Sequence, residues 1–323
     1  MLTNGNGKHT ATGEEAGPLH WVPLQGDWEF TPEQIRFQGG SERFQAHGRT
    51  FPLGLALSNR TLQSGRCRVS IQFSETPAGS HFTGGLLLGF RSSDRYNVQV
   101  QLGAGQAAYS VTEFIAGFGW RPLQVAGPLT ALRPDQRYLL ESEIVGQQVR
   151  IKVDGVRVLE VLLSRPLEGK QAGLIAAGEH GVIFRDFEVL PDRPRIFVAM
   201  QYGKPFDDFY REVIRPQAER YFDVIRMDEK TGPGVIFQDM QREIEQAHVF
   251  IAEITPANLN VLYELGYAHA LKTPTILLAQ RGGTLPFDIS SFRVVFYDDT
   301  IAGKARIEQD LAKHLDAINE SVG

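Results

Sequence analysis

The chain has 323 residues, 42% of them hydrophobic and 22% charged, with a formal net charge of −5. That balance is ordinary for a soluble globular protein of about two domains and argues against a general nucleic-acid binder, which needs a basic surface to displace counterions. No run of about 18 apolar residues occurs, so no transmembrane helix is expected, and the single cysteine, Cys67, excludes an intrachain disulfide framework and fits a reducing cytoplasm.

Residues 1–19 open with a Gly-, Thr-, Asn- and Glu-rich stretch that has no apolar signal-peptide core, and they read as a disordered leader. From Trp21 to Leu190 the pattern alternates with period two. Cys67–Phe73, Gly85–Phe90, Tyr96–Leu102, Leu139–Ile144, Val149–Val153, Val156–Val161, Gly173–Ala177 and Val182–Val189 are strand-like. Asp154-Gly155 between two of these runs is the strongest short hairpin signal. Cys67 sits between Arg66 and Arg68 with no His nearby, which makes it a plain strand thiol. Short strands with regular turns and almost no helix predict an all-β jelly-roll sandwich over 20–190.

Residues 191–195, Pro-Asp-Arg-Pro-Arg, read as a stiff linker, after which strands alternate with helices. Strands are predicted at Ile196–Met200, Phe222–Arg226, Val249–Ile254, Thr275–Ala279 and Arg293–Tyr297. Helices are predicted at Phe206–Tyr221 (bent or broken at Pro216), Val235–Ala247, Asn260–Leu271 and Ile301–Ile318. This is the pattern of an α/β flavodoxin-like, doubly wound parallel sheet over 196–320.

In such a sheet the ligand crevice lies beyond the carboxyl ends of strands one and three. The first contributes Met200, Gln201, Tyr202, Phe206, Asp207 and Asp208, and the third contributes Glu253 and the loop Asn258–Asn260. Asn260 is the expected N-cap, which puts Glu264 in the first helical turn on the face of Val261, Ala268 and Leu271. An acid on an inward face costs stability, and a helix N-terminus favours its ionised form. Glu264 is therefore the residue placed for chemistry. His269 reads as a packed helix histidine, Asp207 and Asp208 also suit a helix start, and Asp288 suits a turn. No metal-site pattern, glycine-rich nucleotide fingerprint or nucleophile elbow is present.

The run Gln246–Leu278, with its Tyr-Glu-Leu-Gly core at 263–266, resembles nucleoside 2-deoxyribosyltransferase-like domains and the wider TIR-like group, which includes effectors of bacterial defence. Phe197–Asp208 and Leu285–Ile289 share the likeness. It implies cleavage of an N-glycosidic bond of a nucleoside, nucleotide or NAD by Glu264, with Glu253 as the second acid. Glu253 stands where that family more usually has Asp, and Leu259 where it has Pro. Tyr202, Asn258 and Asn260 are implied contacts to base, sugar or phosphate, and Asn258 and Asn260 equally suit helix capping. No cofactor is implied, NAD entering as substrate.

Gly84–Gln101 and Val149–Val158 resemble laminin-G and concanavalin-like sandwiches related to sugar hydrolases. Arg91, Asp94, Tyr96, Phe118 and Trp120 are candidates to line a glycan or protein surface, although half-buried strands require the same placement. The sequence thus supports a cytoplasmic, hydrolase-like N-glycosidase with a sandwich as its sensing module. Association into a homo-oligomer, and no nucleic-acid or membrane partner, belong to that expectation. The alternatives are a non-catalytic nucleotide-signal-binding protein with a carbohydrate- or protein-binding sandwich, and a carbohydrate-processing protein led by the β half.

Overall fold

Alternating apolar residues turn one face of each N-terminal strand inward, and two antiparallel sheets pack those faces together. The computed structural model describes residues 17–40, 43–46, 49–75, 82–90, 96–105, 107–167, 170–229, 236–284 and 293–322. Most of the predicted leader, Arg91, Asp94 and residues 285–292 with Asp288 lie outside these.

One sheet orders β1 (Trp21–Gln25), β5 (Arg49–Leu62), β14 (Lys170–Gly178), β7 (Phe82–Phe90), β8 (Tyr96–Leu102), β9 (Ala107–Ile115) and β10 (Gly119–Pro128), with β4 (Arg43–Ala46) also on β5. The other orders β13 (Val156–Leu162), β12 (Gln148–Val153), β11 (Arg137–Val145), β6 (Gly65–Phe73), β15 (Val182–Pro191), β3 (Ile35–Gly39) and β2 (Asp27–Phe30). Cys67, Val69, Ile71 and Phe73 of β6 meet Val98, Val100 and Leu102 of β8 in one buried cluster, as period-two strands require. The expected jelly-roll sandwich is thus present. Cys67 is fully buried, and burial pushes its thiol up.

Two hairpins show how turn residues set register. Asp154 and Gly155 both take positive φ, +51° and +80°, as a type I′ turn between β12 and β13 demands. In the two-residue turn between β11 and β12 only Gly146 is positive, at +61°, the type II′ arrangement.

The C-terminal half is a parallel sheet of β16 (Arg195–Ala199), β17 (Asp223–Ile225), β18 (Val249–Glu253), β19 (Thr275–Gln280) and β20 (Val294–Tyr297), in spatial order β17-β16-β18-β19-β20. One face packs Tyr210, Val213, Ile214 and, from α5 (Ile301–Val322), Ile307, Leu311 and Leu315. The opposite face packs α3 (Ile236–Glu245) and α4 (Leu259–Ala270) through Met240, Ile244, Val261, Leu265 and Ala268. The first predicted helix runs as α1 (Phe206–Phe209), a π-helical turn Tyr210–Ile214 and α2 (Arg215–Ala218). Pro216 has no N–H for the ordinary ladder, so a widened turn beside it is the expected accommodation.

The halves meet at the β11–β12 turn. Gln147 donates its backbone N–H to Glu245 O at 2.9 Å and its side-chain amide to Leu271 O at the end of α4. Gln246 donates to the Gln148 side chain at 2.8 Å. Buried His248 lies between them: its Nδ1 accepts from Arg195 N–H at 3.1 Å, and its Nε2 faces Gly146 N at 3.3 Å and Gln63 O at 3.4 Å.

Candidate functional site

Strand β16 ends at Ala199, and the chain then divides its side chains between two faces. Met200, 3% exposed, turns into the core beside Tyr210, so the structure gives it packing rather than a crevice position. Gln201 is half-buried, and Tyr202 follows on the exposed side. Phe206 packs against the same cluster as Met200. With Phe209, Val213, Ile307 and Tyr297 it lines a pocket of about 290 Å3 whose rim carries Asp298, Asp299 and Lys304. Of the expected crevice residues, Met200 is thus a core residue and Phe206 lines this pocket.

Tyr202 and Asp207 are brought together by a residue the sequence reading passed over. Arg226, just past the end of β17, has a side chain only 3% exposed. It bonds Asp207, donates to Asp228 at 2.6 and 2.7 Å, and lies over the rings of Tyr210 at 4.5 Å and Tyr202 at 5.1 Å. Burying a guanidinium requires charge partners and donor acceptors on all sides, and two carboxylates with two aromatic faces supply them. The bond from Arg226 also holds Asp207 below the ordinary carboxylate value. The signal available in the sequence was Arg226-Met-Asp228 directly after a strand's carboxyl end. Attention to strands one and three alone missed it.

Helix α4 begins one residue earlier than expected. Asn258 is the cap, its Oδ1 accepting Asn260 N–H at 2.9 Å and Val261 N–H at 3.5 Å. Asn260 is exposed and supplies a backbone donor. Glu264 consequently stands in the second turn rather than the first, where helix-end stabilisation of a negative charge has largely faded. It is half-buried between Val261 and Ala268, both core residues, and among the described residues no donor reaches its carboxyl. Burial alone pushes its pKa up to about 7. This corrects the expectation of a carboxyl held firmly ionised: near neutral pH Glu264 is divided between acid and base. Tyr202 feels it, the phenol being raised to about 12 by burial first and by the charge of Glu264 second.

Glu253 has different surroundings. It is 1% exposed, and its Oε1 accepts from Thr255 N–H at 3.0 Å, Thr255 Oγ1 at 2.6 Å and Tyr297 OH at 3.1 Å. Thr255 Oγ1 in turn accepts Gln280 N–H at 2.6 Å. The carboxyl thus ties the ends of β18, β19 and β20 together. Burial raises its pKa, and its Oε2 is buried with no partner among the described residues. The two acids expected to work as a pair stand in separate environments.

In the sandwich, Tyr96 faces the core and donates to buried Glu113 at 2.9 Å, Phe118 is 89% exposed, and Trp120 donates to Gln99 at 3.2 Å. Gln99 belongs to a buried amide ladder with Asn97, Gln101 and Ser110 on the sheet face away from the core. No group of metal-binding side chains occurs among the described residues, and no helix there is long and apolar enough to cross a membrane.

No protein-family model matches the chain, and no curated protein matches it. Among solved structures, the sandwich half is similar to carbohydrate-binding module CBM66 from Bacillus subtilis, at 16% identity over 52% of this chain and 92% of that one, TM-score 0.42. It is also similar to the laminarinase catalytic domain of Thermotoga maritima (10% identity, 53% and 92% coverage, TM-score 0.37) and to sheep galectin-11 (12%, 43% and 95%, TM-score 0.32). Likeness at this level carries no argument about ligand or activity.

Proposed function

We propose that the C-terminal half is a flavodoxin-like, nucleoside 2-deoxyribosyltransferase-like domain that cleaves the N-glycosidic bond of a nucleoside, nucleotide or NAD, with Glu264 as its working carboxyl. The observation that carries this reading is Glu264 itself: half-buried, unpartnered among the described residues, beside Tyr202 and raised to about 7. An ionisable group at that value suits proton transfer or nucleophilic attack near neutral pH. The base leaves with the C1′–N bonding pair and takes a proton from water. The Glu264 carboxylate stabilises the positive charge developing on C1′, or bonds to it, until water replaces it and gives the sugar. Tyr202, steadied by Arg226, offers a ring face to the base. Asp207 acts through Arg226. The sandwich serves as recognition module, and a cytoplasmic defence effector is the setting that fits.

Incubating the full chain with NAD, nucleosides and deoxynucleosides and measuring released base by chromatography tests the proposal. Wild type should release base from at least one of them, and Glu264→Gln should lose at least about a hundredfold of that rate, the loss typical of a missing group that stabilises transition-state charge.

The second reading, a nucleotide-signal binder without catalysis, is favoured by one observation: Glu253 is locked to Thr255 and Tyr297, so the expected second acid does not attend Glu264. Absence of released base together with a nucleotide-dependent rise in melting temperature would establish it.

A further inference from the structure

Strand β20 is the outer edge of the parallel sheet, and between it and α5 runs an open groove of about 730 Å3. Its walls carry Arg281 at the end of β19, Arg293 before β20, and Arg306, Lys313 and His314 on α5, against a single acid, Asp310. Arg281 pairs with Asp298 at 3.2 Å and Lys313 with Asp310 at 3.2 Å, across exposed side chains that water screens. Arg293 and Arg306 have no acidic partner among the described residues and are exposed. Phe296 also faces out, 38% exposed. In a chain of net charge −5, four permanent cations sharing one groove are a concentrated field of the minority sign.

We propose that this groove binds the backbone of a single-stranded nucleic acid. Arginine presents a planar fork that matches phosphate oxygens two at a time, and an exposed ring beside it gives a base a surface to stack on. An acidic peptide added to the sheet edge fits less well: β20 has four residues, Val294–Tyr297, which offers little ladder to an added strand. The site is distinct from Glu264, which belongs to α4 and does not line the groove, and it does not depend on that residue being catalytic.

The test is fluorescence anisotropy of the full chain with labelled 12-nucleotide single-stranded DNA and RNA, repeated with a labelled poly-glutamate of equal charge. Wild type should bind the oligonucleotides. Their affinity should fall roughly 50-fold between about 50 and 200 mM salt if four cations each meet a phosphate. Arg293→Glu combined with Arg306→Glu should weaken binding at least about tenfold at low salt without moving the thermal melt, and Arg293→Gln combined with Arg306→Gln replaces that pair if the melt shifts. Equal or tighter binding of poly-glutamate, or unchanged oligonucleotide binding in both double variants, overturns the proposal. So does absence of binding by wild type alongside self-association of the charge-reversed variant, which would mean that the cations guard an exposed sheet edge.

Discussion

Glu264 carries a destabilising contribution with a definite sign. Its carboxyl has an ordinary value near 4.5 and is raised to about 7 in the folded chain by burial. Folding therefore favours the neutral acid: the destabilisation is absent below about pH 4.5, grows as pH rises and is fully present above about 7. Glu264→Gln keeps the shape and removes the ionisation, so it should melt higher than wild type at pH 8 and much the same at pH 4.5. A chain of this size gains about 2–4 °C per kcal/mol, which scanning calorimetry resolves. The same titration should shape catalysis, with kcat/KM rising toward a plateau above about pH 7 as the carboxylate forms. A higher melting temperature joined to lost base release would mark a residue kept against stability. The position of this acid was legible because an inward-facing Glu breaks the apolar stripe of Val261 and Ala268. The surroundings of Glu253 were not, since Tyr297 reaches it from 44 residues away. Arg226 was missed for the same reason: Asp207, 19 residues before it, and the two tyrosine rings meet it only once the sheet has assembled.

At the level of elements, local chemistry was read more reliably than partnership. Asp154-Gly155 announced its hairpin because positive φ at both positions favours that pair, and the five C-terminal strands showed as apolar runs between helices. The edge strands β1, β2 and β10 were not individually visible. Their residues are largely exposed, so the core imposes little alternation on them. Asn258 and Asn260 are the same residue type two positions apart, and only the backbone decides which one caps α4. Asn258→Ala should cost about 1 kcal/mol in urea unfolding, whereas Asn260→Ala, which removes an exposed side chain and leaves the backbone donor, should lie within about 0.5 kcal/mol of wild type.

Across the whole molecule, composition averages away what geometry separates. A net charge of −5 argued against nucleic acid, yet the β20–α5 groove gathers cations from 281, 293, 306 and 313 onto one surface. The junction between the halves was equally silent in the sequence. It depends on Gly146, where an added Cβ would stand 2.5 Å from Glu245 O at a φ of +61°. Gly146→Val should therefore destabilise by at least about 2 kcal/mol and turn a shared calorimetric transition into two. His248 at the same junction gives it a dependence on acidity. Burial lowers this imidazole to about 4 from 6.5, so its uncharged ring supports the folded arrangement fully above pH 6.5, and that support drains away as pH falls toward 4. Once protonated, Nδ1 can no longer receive the Arg195 amide, and the nearby Arg195 guanidinium repels the new charge. Mild acid should accordingly unhinge sandwich from sheet before either melts. Small-angle scattering would register this as a radius of gyration that grows between pH 6 and 4 while circular dichroism holds steady, and a radius that stayed constant would show the hinge to be indifferent to protons.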